Sequence, residues 1–192
     1  MTDTARDRKA SIRSAVRRRL LEMTPDERRQ GSADACARLA ALPVFRRAGT
    51  VMLYMSLADE VDVTPLAIRC FQAGKTVCVP RVNWQRRDIQ PVEAMSFDDD
   101  VLDTDEHGIR TPRDGRPVLP ETIDLVVVPG VAFDTLKHRL GRGGGFYDRF
   151  LPALHRRAGV VAIAFDLQVV DAVPTEDWDL RVHHIVTDAR VI

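Results

Sequence analysis

Hydrophobic positions near the start of the chain recur every fourth residue, which is the spacing of one face of a helix. Ile12, Val16 and Leu20 form this apolar stripe and predict a helix over residues 5–23. The sequence Thr24-Pro25-Asp26-Glu27 is a capping box with proline at the first helical position, and it predicts a second helix from 25 to about 41.

A third helix is predicted over residues 61–73, and Gly74 lies where its C-cap belongs. Short unbroken apolar runs separate the helices and predict strands at residues 50–55, 76–79, 123–128, 160–165 and 184–187. A run such as Leu125-Val126-Val127-Val128 has no polar face, so we expect it to be covered on both faces, as in a parallel sheet. Helices that alternate with such strands predict an α/β domain with a mostly parallel sheet flanked by helices.

The pattern breaks down in residues 81–120. This segment contains four prolines and a cluster of acidic residues between 98 and 106, and only residues 89–95 have a strand pattern. A long irregular stretch within a compact domain is usually functional or mobile. For the acidic cluster the sequence indicates nothing more specific than a solvated loop.

Composition and charge favour a single domain that binds small molecules over a nucleic-acid-binding or membrane protein. At 192 residues the chain fits a single domain over residues 1–192, and 28 basic residues balance 28 acidic ones, so charge indicates neither nucleic acid nor a membrane as partner. The polar residues 1–8 lack the apolar core of a signal peptide, and no apolar run is long enough to span a membrane. Three cysteines without CxxC spacing suit reduced thiols, and the histidines show no HExxH. We expect a cytoplasmic monomer that binds small molecules.

The strongest chemical signal is the segment Arg139-Leu140-Gly141-Arg142-Gly143-Gly144-Gly145-Phe146-Tyr147-Asp148-Arg149. Four glycines within five positions let the backbone turn its N–H groups inward as a nest for anionic oxygens. The three arginines match phosphate or carboxylate groups, and Asp148 beside such a nest is a natural magnesium ligand. The alternatives are a glycine-rich turn that binds nothing and, less well supported, a dinucleotide site whose third glycine position is Phe146. A helix is expected from about Gly144, with Pro152 interrupting or kinking it.

Other charged residues allow two interpretations each. Lys9 and Arg13 belong either to a solvated helix face or to a site where they neutralise the phosphates of a nucleotide. Taken alone, the acidic segment 56–62 favours a polar loop with a helix N-cap, and Asp179 favours a solvated turn. In a parallel sheet the carboxyl ends of the strands collect ligand-binding residues, so we expect Asp166 there as well.

Four segments in order resemble the 5-formyltetrahydrofolate cyclo-ligase family, also called methenyltetrahydrofolate synthetases, and the resemblance covers nearly the whole chain. They are Lys9-Ala-Ser-Ile-Arg13, Tyr54-Met-Ser-Leu-Ala-Asp-Glu60-Val-Asp, Val128-Pro-Gly-Val-Ala-Phe-Asp134 with the glycine loop, and Ala164-Phe-x-x-Gln168 with Val173-Pro-Thr-Glu-Asp-Trp-Asp179 and Ile185-Val-Thr-Asp. The resemblance implies a fold similar to the ribose-phosphate isomerase and CoA-transferase group. It also implies ATP- and Mg²⁺-dependent conversion of 5-formyltetrahydrofolate to 5,10-methenyltetrahydrofolate, a reaction of one-carbon metabolism that releases ADP and phosphate.

By the same resemblance the site residues receive roles. ATP contacts are implied for Lys9, Arg13, Arg139, Leu140, Gly141, Arg142, Gly143, Gly144, Gly145, Phe146 and Tyr147. Folate contacts are implied for Leu57, Glu60, Arg142, Gly143, Gly144, Gly145 and Phe146. Arg142 would be catalytic, and Asp148 and Asp179 would hold magnesium, which reverses the structural interpretation of Glu60 and Asp179.

The chain departs from the family pattern at three positions. Lys137 stands where glycine is usual, Thr111 replaces a usual glutamate, and Phe146 replaces a common tyrosine. Two other functions therefore stay open: a non-catalytic folate- or nucleotide-binding regulator on the same fold, and a sugar-phosphate isomerase that needs no ATP.

Overall fold

The computed structural model describes residues 4–176 and 179–192. Its helices are α1 (Ala5–Glu22), α2 (Pro25–Ala40), α3 (Pro43–Arg47), α4 (Thr64–Gln72) and α5 (Phe146–Phe150). Its strands are β1 (Thr50–Met52), β2 (Thr76–Asn83), β3 (Asp88–Glu93), β4 (Leu102–Thr104), β5 (Arg110–Pro112), β6 (Leu125–Val128), β7 (Ala132–Phe133), β8 (Arg139–Leu140), β9 (Gly159–Ala164) and β10 (His184–Thr187). None of the described helices is long and apolar enough to cross a bilayer.

The central sheet has six strands in the order β10-β9-β6-β1-β2-β3. All neighbouring strands are parallel except β2 and β3, which confirms the predicted mostly parallel α/β architecture. Val127 and Leu125 pack with the buried residues of α1, α2 and α4, whereas Val126 and Val128 pack with Phe150 and Leu151 on the other face. Coverage of both faces explains why β6 has no polar position.

Local end signals place the helices well. Thr24 Oγ1 accepts a hydrogen bond from the Glu27 N–H (3.2 Å) and a Glu27 carboxylate oxygen accepts one from the Thr24 N–H (2.8 Å), so the capping box is confirmed. Gly74 ends α4 with φ +66°, and the following Lys75 N–H donates to the Cys70 carbonyl (2.9 Å), so the C-cap is confirmed too.

The predicted start of α4, at residue 61, was wrong: the helix begins three residues later, at Thr64. Residues 61–63 are not helical, and their apolar side chains Val61 and Val63 are buried. Asp62 Oδ1 accepts a hydrogen bond from the Thr64 N–H (3.0 Å), and Pro65 in the first turn fixes the helix start there. The Asp62–Thr64 hydrogen bond and Pro65 therefore set the helix start, although apolar positions continue upstream of it.

Residues 76–120 contain more strand than the sequence predicted. β2 continues through Pro80 to Asn83, because its parallel neighbour β1 pairs only with Thr76–Cys78, so a proline beyond that point breaks no ladder with β1. Beyond β3, the strands β4 and β5 pair as a second, short hairpin. These two hairpins project residues of an irregular-looking sequence towards the functional site.

Candidate active site

A cavity of about 470 Å³ opens at the edge of the sheet where the parallel strands end. Seven parts of the chain line it: Lys9 and Arg13; Tyr54, Met55, Leu57 and Glu60; Pro80, Val82, Trp84 and Ile89; Ile109; Pro129 and Gly130; residues 139–148; and Glu176 and Asp179. All fifteen residues to which the sequence assigned a role in binding, catalysis or metal coordination are among them. Their individual roles remain predictions.

The glycine loop reaches the cavity through a short hairpin. β7 pairs antiparallel with β8, so the chain that leaves β6 at Pro129 returns beside it as Arg139. The loop then needs backbone angles that other residues rarely adopt, with φ +106° at Gly143 and +66° at Gly145. Glycine at these positions is thus a requirement of the loop shape.

Arg139 and Asp148 form the buried base of the loop. Arg139 Nη2 lies 2.6 Å from Asp148 Oδ1, and the Arg139 side chain is only 5% exposed. Its guanidinium also lies over the ring of Tyr147, 5.5 Å from the ring centre. Asp148 is thereby held by a cation at the cavity wall.

Arg142 and Glu60 meet across the cavity. Arg142 Nε donates to Glu60 Oε1 (3.1 Å), and Arg142 Nη2 donates to Asp59 Oδ1. Glu60 Oε2 accepts the Leu57 N–H (3.0 Å), so both carboxylate oxygens are engaged. Burial raises the pKa of Glu60 above its usual value, although the Leu57 N–H and Arg142 act in the opposite direction. The predicted catalytic cation and the predicted folate carboxylate are therefore direct neighbours.

Lys9 and Arg13 both turn from α1 into the cavity. Lys9 Nζ lies 2.9 Å from Glu176 Oε2 and 2.9 Å from Asp179 Oδ2. Burial lowers the pKa of Lys9, but the hydrogen bonds that it donates to Asp179 and Glu176 outweigh this effect, and the net shift is upward. Arg13 Nε donates to the Gly141 carbonyl (2.8 Å) and so ties α1 to the glycine loop.

The cavity offers a magnesium ion two carboxylate ligands, not a complete set of protein ligands. No group of three or more acidic, histidine or cysteine side chains within residues 4–176 and 179–192 is arranged to hold a metal. Mg²⁺ is usually bound by one or two carboxylates together with substrate phosphates and water. Asp148 and Asp179, which both line the cavity, fit that mode of binding.

The structure adds residues that the sequence did not indicate. Trp84 and Ile109 reach the cavity from the two hairpins, and Glu176 shares Lys9 with Asp179. Glu176 belongs to a segment already quoted for the family, whereas Trp84 and Ile109 come from the region without a periodic pattern. Asp177 and Trp178 of that segment lie outside the described residues.

One expected member is elsewhere. Asp166 does not line the cavity. Its Oδ1 accepts hydrogen bonds from Thr187 Oγ1 (2.9 Å) and Arg190 Nε (2.9 Å). Asp166 does lie at the carboxyl ends of the strands, as predicted, but its side chain turns towards the end of the neighbouring strand β10 and not into the cavity.

The acidic segment is more than a solvated loop. Asp99 pairs with Arg110 (3.0 Å) and Asp103 with Arg113 (3.1 Å), so these acids fasten the β4–β5 hairpin. Asp105 accepts a hydrogen bond from Trp84 Nε1 (2.8 Å), which joins the two hairpins above the cavity.

The departures from the family pattern have structural contexts. Lys137 has φ +70°, a left-handed conformation that glycine adopts without strain, which explains why glycine is usual there. Thr111 lies on β5 opposite Asp103 and does not line the cavity. Phe146 lines it directly.

Comparison with known proteins gives a consistent picture. The model of the 5-formyltetrahydrofolate cyclo-ligase family matches residues 5–188. A 5-formyltetrahydrofolate cyclo-ligase of Escherichia coli (strain K12) is 32% identical over 92% of this chain and 98% of the relative. The solved 5,10-methenyltetrahydrofolate synthetase of Aquifex aeolicus has a TM-score of 0.81 and 33% identity, covering 95% of this chain and 91% of that one. A 5,10-methenyltetrahydrofolate synthetase of Mycoplasma pneumoniae shares the fold, with a TM-score of 0.77 and 22% identity over 94% of this chain and 98% of that one.

Proposed function

The chain belongs to the 5-formyltetrahydrofolate cyclo-ligase family, and we infer from this membership and from its cavity that it is a ligase that cyclises 5-formyltetrahydrofolate to 5,10-methenyltetrahydrofolate with ATP as co-substrate. The observation that carries the assignment to this site is the contact between Arg142 of the glycine loop and the buried Glu60. It joins a phosphate-binding element to a group suited to a pterin within one cavity.

The reaction must turn a formamide oxygen into a leaving group. Transfer of the γ-phosphoryl group of ATP to that oxygen releases ADP and makes an iminium-like phosphate ester. The neighbouring folate N–H nitrogen then attacks the formyl carbon and closes the ring, its proton is lost to solvent, and the C–O bond breaks to expel phosphate. Phosphoryl transfer depends mainly on positioning and on neutralisation of charge. The N–H groups of the glycine loop and the guanidinium of Arg142 supply both at the reacting oxygens.

Glu60 is the residue suited to orient the pterin. A carboxylate accepts two hydrogen bonds in parallel, which matches adjacent N–H donors of a pterin ring. Glu60 Oε1 and Oε2 each accept one hydrogen bond at present, from Arg142 and from the Leu57 N–H, and each oxygen has a second lone pair that can accept a pterin N–H. Glu60 can thus hold Arg142 and the folate together, which would place the catalytic cation beside the bound substrate.

Lys9 and Arg13 complete the nucleotide side. Arg13 is already fixed to the loop through the Gly141 carbonyl, and its remaining guanidinium nitrogens are available to phosphate oxygens. We propose that Asp148 and Asp179 hold Mg²⁺, which neutralises phosphate charge when bound. Lys9, which now neutralises Asp179, would then turn to the phosphates.

Further proposals concern the fold group and the cellular location. A relation of the fold to the ribose-phosphate isomerase and CoA-transferase group is consistent with the mostly parallel sheet. A cytoplasmic protein is supported by the three cysteines, which are free and buried, with the pKa of Cys36 raised to about 12 by burial.

Turnover is the direct test. Purified protein is mixed with ATP, Mg²⁺ and 5-formyltetrahydrofolate, and methenyl-folate is followed by its near-ultraviolet absorbance. An ATP-dependent rise is expected. Binding of either ligand without turnover would instead support the non-catalytic regulator, and isomerisation of a sugar phosphate without ATP would support the isomerase.

The metal role of Asp148 is tested by Asp148→Asn, which keeps an acceptor for the buried Arg139. We expect turnover to fall by at least about a hundredfold. Mn²⁺ binding in the presence of ATP, measured by electron paramagnetic resonance, should weaken, while folate affinity stays near that of the unchanged protein. Because the buried Arg139 loses the charge of its partner, the melting temperature should fall, so binding is compared at a temperature at which both proteins are folded. Unaltered Mn²⁺ binding would remove Asp148 from the metal site.

A further inference from the structure

We propose that Trp84 is a substrate-binding residue of this chain, whose indole packs against the flat rings of the reduced folate. The inference rests on the proposed function and deepens it, since it names the group that holds the ring system of the substrate. Neither the family signature nor the glycine loop includes Trp84, which lies just beyond β2.

Trp84 is held in place on three sides. The His107 ring stacks on the indole with ring centres 3.7 Å apart and an angle of 18° between the planes. Asp105 accepts the indole N–H (2.8 Å), and Phe146 meets the indole edge-on at 5.1 Å and 84°. A large aromatic side chain that is fixed before the ligand arrives loses little conformational entropy on binding.

The support beneath Trp84 is itself rigid. Asp105 Oδ1 accepts the N–H groups of His107 (2.9 Å) and Ile109 (2.8 Å), while its Oδ2 takes the indole N–H. One carboxylate thus fixes both the turn and the tryptophan. Such an arrangement is more than a solvated surface aromatic requires.

Part of Trp84 remains accessible at the cavity. Trp84 lines the cavity and is 36% exposed, although His107 covers one face of the ring. An exposed indole that is anchored by its N–H and stacked on a partner is characteristic of a surface that takes up a second flat ring.

The neighbourhood of Trp84 favours folate over the nucleotide. Ile109, from the same turn, also lines the cavity, and Arg110 Nη2 donates to the Ser56 carbonyl (3.5 Å). Ser56 directly precedes the loop that carries Leu57 and Glu60. The turn that supports Trp84 is therefore fastened to the loop proposed to orient the pterin.

Substitution of Trp84 tests the role through binding alone. Isothermal titration measures the dissociation constants of 5-formyltetrahydrofolate and of ATP, each without the other, for Trp84→Ala and for Trp84→Phe. The alanine variant should bind folate about tenfold more weakly with ATP affinity unchanged, and the phenylalanine variant should lie between. Unchanged folate affinity in Trp84→Ala, or a loss confined to ATP, would overturn the proposal.

Fluorescence gives a second readout in which Trp84 itself is unchanged. The chain has two tryptophans, so Trp178→Phe leaves Trp84 as the single emitter. Folate should quench this emission beyond the loss that free tryptophan shows at the same absorbance, and ATP should not. Absence of extra quenching would count against contact. Since turnover of the unchanged protein is measured separately, failure here rejects the role of Trp84 and leaves the ligase assignment standing.

Discussion

At the scale of single residues, Glu60 gives the site a pH dependence with a definite sign. Burial raises its pKa above 4.5, and the ionised form is the one that accepts hydrogen bonds from the pterin. Folate affinity should therefore weaken as the pH falls through this raised pKa. Glu60→Gln should bind folate more weakly at high pH and lack this step, which titration calorimetry across the pH range will show.

The comparison of Glu60→Gln with the unchanged protein also controls for the ligand, because protonation of the folate itself affects both proteins equally. ATP affinity should change less than folate affinity, and equal losses would exclude the pterin role. The effect on stability has the opposite sign. The folded state holds the proton of Glu60 more tightly than the unfolded state, so between pH 4.5 and the raised pKa the free energy of unfolding decreases as pH rises.

The backbone conformation of Lys137 affects the stability of the protein. Its φ of +70° costs a residue with a side chain roughly 1 kcal/mol, and its exposed Nζ contact with the His183 carbonyl (2.9 Å) offsets little of this. Lys137→Gly should raise the melting temperature by up to roughly 2–4 °C, since the greater freedom of glycine in the unfolded chain removes part of the gain.

The matched control is Lys137→Ala, which removes the same Nζ contact but keeps the strained angle. It should not be more stable than the unchanged protein. If the alanine and glycine variants melt at the same temperature, backbone strain at this position is not the cause.

At the scale of elements, the contact between β9 and α3 depends on a missing side chain. A Cβ on Gly159 would lie 2.5 Å from Val44 Cγ2 and 3.3 Å from Leu125 Cδ1. Gly159→Ala should therefore displace α3 and lower the free energy of unfolding by about 1–3 kcal/mol, as measured by urea denaturation.

A double substitution identifies the cause. Val44→Ala removes the methyl group that Gly159→Ala would strike, so the pair should cost less than the sum of the two single changes. Strict additivity would mean that the loss in Gly159→Ala comes from the strand itself and not from α3.

Elements were predictable where their signals are local. Thr24 and Gly74 cap helices with their own backbone neighbours, and both were correctly placed. The predicted start of α4 was too early because Val61 and Val63 are buried by tertiary packing and not as part of a helix. The predicted β2 was too short because β1 pairs only with Thr76–Cys78, so Pro80 interrupts no ladder with β1. The β4–β5 hairpin is fastened by ion pairs between side chains ten or more residues apart, which no apolar periodicity reveals.

At the scale of the whole molecule, the cavity was foreseen mainly through its glycine loop and the family segments. The hydrogen-bond partners of the side chains that line it were not predicted. That Arg142 bonds Glu60, 82 residues earlier, and that Lys9 bonds Asp179, 170 residues later, follows from how the sheet folds the chain. Trp84 was missed for the same reason, since its place depends on the packing of two hairpins.

The ionic lining of the cavity also bears on how quickly ligands arrive. Four cationic side chains face four carboxylates among the described lining residues: Lys9, Arg13, Arg139 and Arg142 against Glu60, Asp148, Glu176 and Asp179. Equal and interleaved charges produce little field beyond the cavity mouth, so an approaching polyanion experiences little electrostatic steering. Encounter should thus be governed by ordinary diffusion and vary little with ionic strength, and discrimination between ligands begins only once they are inside.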